Sequence, residues 1–135
     1  MSSPSALPVS AAFLELWRER HLCTVTTLRP DGTPHVVPMG VVVDPEAGVA
    51  WAITSGTSAK VRNVRAAGER GARVAVCCVD GRRWSTLEGR ARVLDDEASV
   101  REAERRYAER YKVPRENPAR VALRIEVTRL LGNAR

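Results

Sequence analysis

A mainly β (α+β) fold, six antiparallel strands closing a small barrel with short flanking helices, is what this chain predicts, on three observations. Apolar and β-branched residues recur in short runs punctuated by turns at Pro30-Asp31-Gly32-Thr33, Asp44-Pro45-Glu46-Ala47-Gly48 and Asp80-Gly81. Helical periodicity is confined to three short stretches. Neighbouring strands are spaced for local pairing rather than for long crossovers, and barrel closure is the economical way to remove sheet edges.

The elements follow in order. Met1 to Val9, rich in Ser, Pro and Ala, reads as a flexible N-terminal segment, and residues 10–135 as one domain. Ser10 is a capable N-cap for a helix over Ala11 to Arg20, where Phe13, Leu14 and Trp17 fall at helical spacing. Leu22 to Leu28 is strand one and Pro34 to Val43 strand two. Val49 to Thr54 is the third strand of the meander. A short helix over Ser58 to Ala66 follows, because Ala59, Val61 and Val64 no longer alternate. Ala72 to Val79 and Trp84 to Leu94 are strands four and five, with Gly89 marking a bulge. Asp95 and Asp96 cap a polar helix to about Tyr111, and Val121 to Val127, cleanly alternating, is strand six.

Composition narrows the function. No apolar run reaches the roughly 18 residues of a membrane helix, and no basic-then-apolar leader opens the chain, so the expectation is a cytoplasmic protein without membrane attachment. Cys23, Cys77 and Cys78 sit in strand-like runs and read as buried reduced thiols. The net charge of +6 rests on arginine, with lysine only at Lys60 and Lys112. That bias reflects a GC-rich genome. Without a basic run, a zinc-finger spacing or a cluster of aromatics, nucleic acid is not an expected partner.

Chemistry concentrates where strand three meets the short helix. Thr54-Ser55-Gly56-Thr57-Ser58-Ala59-Lys60 places hydroxyls and a cation at a helix start, whose unpaired N–H groups and dipole favour an anion such as a phosphate. In a chain that otherwise chooses arginine, Lys60 points to a specific contact; the alternative is a capped helix with a solvated lysine. The segment lacks the full phosphate-binding loop of nucleoside triphosphatases, and no Gly-x-Gly-x-x-Gly links a strand to a helix. His21 and His35 have no Cys or carboxylate at ligand spacing, so no metal site is expected. No catalytic residue is singled out: His35 lacks an acidic partner and no Gly-x-Ser-x-Gly is present. Trp84, at the start of strand five, could wall a planar ligand or sit in a core or dimer interface.

Four segments together carry a resemblance: Leu22 to Val37, Thr54 to Asn63, Trp84 to Ala91, and Arg106-Tyr107 through Pro118, which includes Arg-Tyr-Ala-x-Arg-Tyr at Arg106 to Tyr111. On these the chain resembles the pyridoxamine-phosphate-oxidase-like, FMN-binding split β-barrel superfamily, especially its actinobacterial F420-dependent reductases and, among them, small members that reduce biliverdin. The resemblance implies coenzyme F420, with FMN as the alternative, bound at the interface of a homodimer. It implies phosphate held by the segment with Thr54, Ser55, Ser58, Lys60 and Asn63, a ring along Val37, Pro38 and Met39, and Trp84 approaching the site. It implies direct hydride transfer to a conjugated acceptor, with no protein nucleophile. A non-catalytic flavin or haem module is the competing expectation.

Overall fold

The computed structural model describes residues 4–135 and runs α1 (Ala11–Arg18), β1 (Cys23–Leu28), β2 (Pro34–Met39), β3 (Val42–Asp44), β4 (Val49–Ser55), α2 (Ala59–Ala66), β5 (Ala72–Asp80), β6 (Arg83–Leu94), α3 (Glu97–Arg110) and β7 (Arg120–Gly132). The strands form one antiparallel sheet in the order β2-β1-β5-β6-β7-β4-β3. Its inner face carries Val25, Val76, Leu87, Leu123 and Ile125, all buried. Phe13 and Leu16 of α1 join this core with no exposed surface, each burial contributing about 1.5 to 3 kcal/mol. Trp17 anchors α1 to the sheet by donating its indole N–H to Ser85 Oγ at 3.0 Å.

The helix starts follow the sequence. Ser10 Oγ accepts from the Phe13 N–H at 3.1 Å, and the Asp96 carboxylate from the Ser99 N–H at 3.0 Å. The register shift at Glu88/Gly89 is the expected bulge: a Cβ at Gly89 would stand 2.0 Å from the Glu126 carbonyl oxygen. Beyond it β7 runs to Gly132 rather than ending at Val127, because Arg129 to Gly132 pairs with Ser85 to Glu88. Met1 to Ser3 of the expected flexible segment lie outside the described residues. Pro4 to Val9 form no helix or strand, yet the Leu7 N–H donates to the Pro45 carbonyl at 2.8 Å, and Leu7 and Val9 rest on the core.

Seven strands replace the expected six because Pro34 to Val43 is not continuous. The chain leaves the sheet at Gly40-Val41, so that β2 pairs with β1 at one edge and β3 with β4 at the other. The break comes from the end of α3. Tyr111 Oη accepts from the Val41 N–H at 3.1 Å and donates to the His21 carbonyl at 2.7 Å. Arg110 Nη1 donates to the Val41 carbonyl at 2.6 Å. The Tyr111 and Tyr107 rings stack above Gly40, leaving 2.8 and 2.9 Å for any Cβ there. Both polar groups of Val41 are thus taken by α3 instead of a neighbouring strand.

Arg110 itself is only 6 % exposed, which is rare for an arginine. Its guanidinium is matched by the carbonyls of Leu16, Glu19 and Val41 and stands over the Trp17 ring at 5.1 Å. It also donates toward Cys78 Sγ at 3.4 Å; Cys78 lies directly opposite Cys23 across β5 and β1. The hydrogen bond between the two thiols, with burial, pushes Cys23 up; the same bond, with help from Arg110, pulls Cys78 down. Cys23 and Cys78 are buried, whereas Cys77 faces outward and is only half-buried, as alternation along a strand requires.

Candidate functional site

The turn between β4 and α2 gathers the hydroxyls that the sequence singles out. Gly56 donates its N–H to the Ala119 carbonyl at 2.7 Å, which ties the turn to the start of β7. The Ser58 N–H closes the turn on the Ser55 carbonyl at 3.1 Å. Ser58 is the N-cap of α2, but its hydroxyl makes no capping bond; it lies 3.4 Å from Thr54 Oγ1. The first-turn N–H groups of α2 therefore remain available, beside a hydroxyl that is not committed to them. Ser55 and Thr57 hydroxyls stand 3.3 Å apart at the mouth.

Lys60 supplies the charge. It is half-buried, and burial alone pulls its ammonium below the usual lysine range. No carboxylate lies within salt-bridge distance among the described residues; the nearby arginines pair instead, Arg65 with Asp95 and Arg120 with Glu104. A partly desolvated cation thus stands in the first turn of α2, without a counter-ion among the described residues. Arg62 is partly committed to the turn, donating to the Thr57 carbonyl at 2.8 Å.

A groove of about 400 Å³ brings Met39, Thr54 and Ser55 together with Tyr107, Lys112, Arg115 and Arg120. Lys112 and Arg115 come from the connection after α3, where no periodicity marks them, and Arg120 from the first position of β7. Tyr107, which stacks on Tyr111 over Gly40, thus also lines this groove. Val37 and Met39 point to the inner face of β2 and are half-buried, while Pro38 faces outward and is exposed.

Two residues of the expected site lie elsewhere. Asn63 is buried and donates its amide to Thr27 Oγ1 at 3.0 Å, so it fastens α2 to β1 instead of reaching an anion. Trp84 stands ten residues from Leu94 on β6, about 30 Å of strand from the end that adjoins β4 and α2. Within one chain it thus lies toward the opposite end of β6 from the strand end that leads to α2. His35 lies opposite Thr27 on the inner face, its Nδ1 buried without a partner and no carboxylate in contact.

The fold also gathers Glu19, His21 and Asp80 with ligand atoms within 4.8 Å of one another, a juxtaposition that sequence spacing hides. Arg83 is ion-paired to both carboxylates, at 2.6 Å to Glu19, and already balances their charge. No helix is long and apolar enough to cross a membrane among the described residues.

A barrel divided at Gly40-Val41, with a hydroxyl-rich strand–helix turn leading to Lys60, defines a small split β-barrel. The chain belongs to the pyridoxamine 5'-phosphate oxidase family, whose model matches residues 9–133. It is 47 % identical over 116 residues to the F420H(2)-dependent biliverdin reductase of Mycobacterium tuberculosis (strain CDC 1551 / Oshkosh), covering 86 % of this chain and 82 % of that protein. Among solved structures it resembles an F420 reductase, with TM-score 0.71, 23 % identity, and 91 % and 98 % of the two chains covered. It also resembles a conserved hypothetical protein from Mycobacterium tuberculosis, with TM-score 0.73, 24 % identity, and 98 % and 89 % covered. The structural likenesses establish the split-barrel fold.

Proposed function

We propose that this protein is an F420-dependent oxidoreductase that delivers a hydride from reduced deazaflavin to a conjugated acceptor, with biliverdin the acceptor to test first. The observation that carries the reading is Lys60, half-buried and without a counter-ion at the first turn of α2, in a chain so close to an F420H(2)-dependent biliverdin reductase. F420, when bound, supplies the hydride. The chain's own residues bind and orient: Lys60, the free Ser58 hydroxyl, Thr54, Ser55 and the α2 N–H groups hold phosphate oxygens, and Val37, Pro38 and Met39 offer β2 as a wall for a planar ring. Among the described residues, none that combines a nucleophile with an orienting base faces this groove, which suits chemistry in which the protein positions two planar partners.

The working unit is a homodimer in the cytoplasm. Half of the sheet's outer face is covered by α3. The other half, across β2, β1, β5 and β6, leaves Val36, Val79 and Trp84 at 56, 55 and 41 % exposure. Burying that face against a second copy would bring Trp84 of one subunit toward Lys60 of the other, which accounts for their separation within a chain. The free cysteines agree with a reducing compartment.

Side-by-side titration of purified protein with F420 and FMN, followed by turnover of biliverdin with reduced F420, tests the reading. Selective F420 binding with turnover is expected. Preference for FMN would move the protein to the flavin-using branch of the family, and F420 binding without reduction of any acceptor would make it a carrier.

A further inference from the structure

Cys23 and Cys78 are Cα partners across β1 and β5, both buried on the inner face of the sheet. Directly opposed antiparallel positions stand about 4.5 to 5.5 Å apart at Cα, inside the window of about 4.4 to 6.8 Å that a disulfide spans. Cys77 points to the opposite face. Arg110 joins the pair to the divide of the barrel. Its guanidinium donates toward Cys23 Sγ at 3.8 Å and Cys78 Sγ at 3.4 Å, as well as to the carbonyls of Val41, Leu16 and Glu19. Arg105 and Arg106 on the same helix pair with carboxylates, but Arg110 pairs with none among the described residues. Of the groups it donates to, only the two thiols ionise, so the counter-charge of this buried cation is a thiolate. The thiol–thiol hydrogen bond, helped by Arg110, favours that charge on Cys78 and leaves the proton on Cys23. A groove of about 200 Å³ between α1, β3 and α3 is lined by Arg110 with Trp17, Val42 and Glu109, room for a molecule of peroxide size and not for a peptide disulfide.

We propose that Cys23 and Cys78 form a redox-modification site, a dithiol that hydrogen peroxide closes to a disulfide and that, in closing, frees Arg110 from Val41. The Cys78 thiolate attacks one peroxide oxygen, the O–O bond breaks and hydroxide leaves, giving a sulfenic acid. The Cys23 sulfur then attacks that sulfur, and the displaced hydroxyl departs as water with the Cys23 proton. Two electrons pass from sulfur to peroxide, and the hydroxide takes from solvent the proton that Cys78 had given up. The disulfide carries no charge and accepts hydrogen bonds weakly, so Arg110 loses its counter-ion and moves along the groove toward water, letting go of the Val41 carbonyl. Val41 adjoins Gly40 and Met39, which line the groove beside Thr54 and Ser55, so the thiol state reaches the proposed cofactor site.

Peroxide treatment of the folded full chain, then alkylation in urea and peptide mass mapping, reads the bond. Trypsin reads the arginine, because it cuts after Arg110 only when that side chain has left the interior. A Cys23–Cys78 disulfide is expected, with Cys77 still alkylated. Cleavage after Arg110 should quicken at least about tenfold relative to cleavage after exposed Arg115, and dithiothreitol should reverse it. Cys77→Ala should match the wild type, and Cys23→Ala/Cys78→Ala should be cut at one rate with or without peroxide. Oxidised wild type should also hold F420 at least about tenfold more weakly, the one arm that rests on the reductase reading; no F420 binding in either state would count against that reading alone. Thiols that stay free while Cys77 oxidises, a disulfide through Cys77, closure only in urea, or a Cys23–Cys78 bond with Arg110 still protected would overturn the switch. F420 held equally by both states would overturn its reach to the groove.

Discussion

Asn63 is the residue on which the sequence-derived site and the structure part most sharply, and replacing it separates the two. Its amide donates to Thr27 Oγ1 at 3.0 Å inside the protein. Asn63→Ala removes a neutral buried hydrogen bond, a net loss of about 0.5 to 1.5 kcal/mol, and strands the Thr27 hydroxyl at a further cost within the range of about 1 to 3 kcal/mol. A total near 2 kcal/mol is expected, lowering the melting midpoint by about 6 to 10 °C for a domain of this size. Thr27→Val should cost a similar amount, because it strands the amide instead. The pair Thr27→Val/Asn63→Ala, which leaves neither polar group stranded, should recover about half of the summed loss. Urea unfolding of the four proteins gives the coupling energy, and F420 titration of Asn63→Ala gives the second readout. A cost below about 0.5 kcal/mol, or intact stability with a large loss of F420 affinity, would refute the structural role and return Asn63 to the ligand set.

Lys60→Met should weaken F420 binding by about 10- to 100-fold, the value of a charge-assisted bond, with the protein still folded; cofactor fluorescence reads it. Burial holds the Lys60 ammonium below its ordinary range, so between its folded and unfolded pKa values the unfolded chain binds more protons and stability rises with pH. Lys60→Met should abolish that slope in pH-dependent unfolding, while wild-type F420 affinity falls as pH climbs through the lowered pKa. Trp84→Ala and Lys60→Ala, each deficient alone, should regain about a quarter of wild-type sites when mixed and allowed to exchange subunits, because one site of each mixed dimer is intact; no recovery despite exchange would refute a site shared across the subunit boundary. Gly40→Ala forces a methyl to within 2.8 Å of the Tyr111 ring and should cost about 1 to 3 kcal/mol in urea unfolding.

Much of this was legible beforehand. Alternation in Cys23–Leu28 and Val121 to Val127 reports half-buried strands directly, and Ser10, Asp96 and Gly89 act through local geometry that their chemistry announces. The division at Gly40-Val41 was not, since an unbroken apolar run hides a break imposed by tyrosines some seventy positions later. The burial of Arg110 was hidden for the same reason: nothing local shows that the fold delivers enough carbonyls to replace its water. The Thr54-to-Lys60 segment revealed its hydroxyls and its cation. It could not reveal that Asn63, three residues further along α2, turns inward to Thr27.

The clasp of Arg110 and Tyr111 on Val41 has a kinetic meaning as well. The contacts that define the divide join residues far apart in sequence, so they are made only after α3 has docked, late in any folding route that begins with local hairpins. By the same logic the Val41 amide is shielded from solvent exchange only while the end of α3 is in place. One backbone proton therefore reports whether the groove beside Lys60 is assembled, whatever the rest of the barrel is doing.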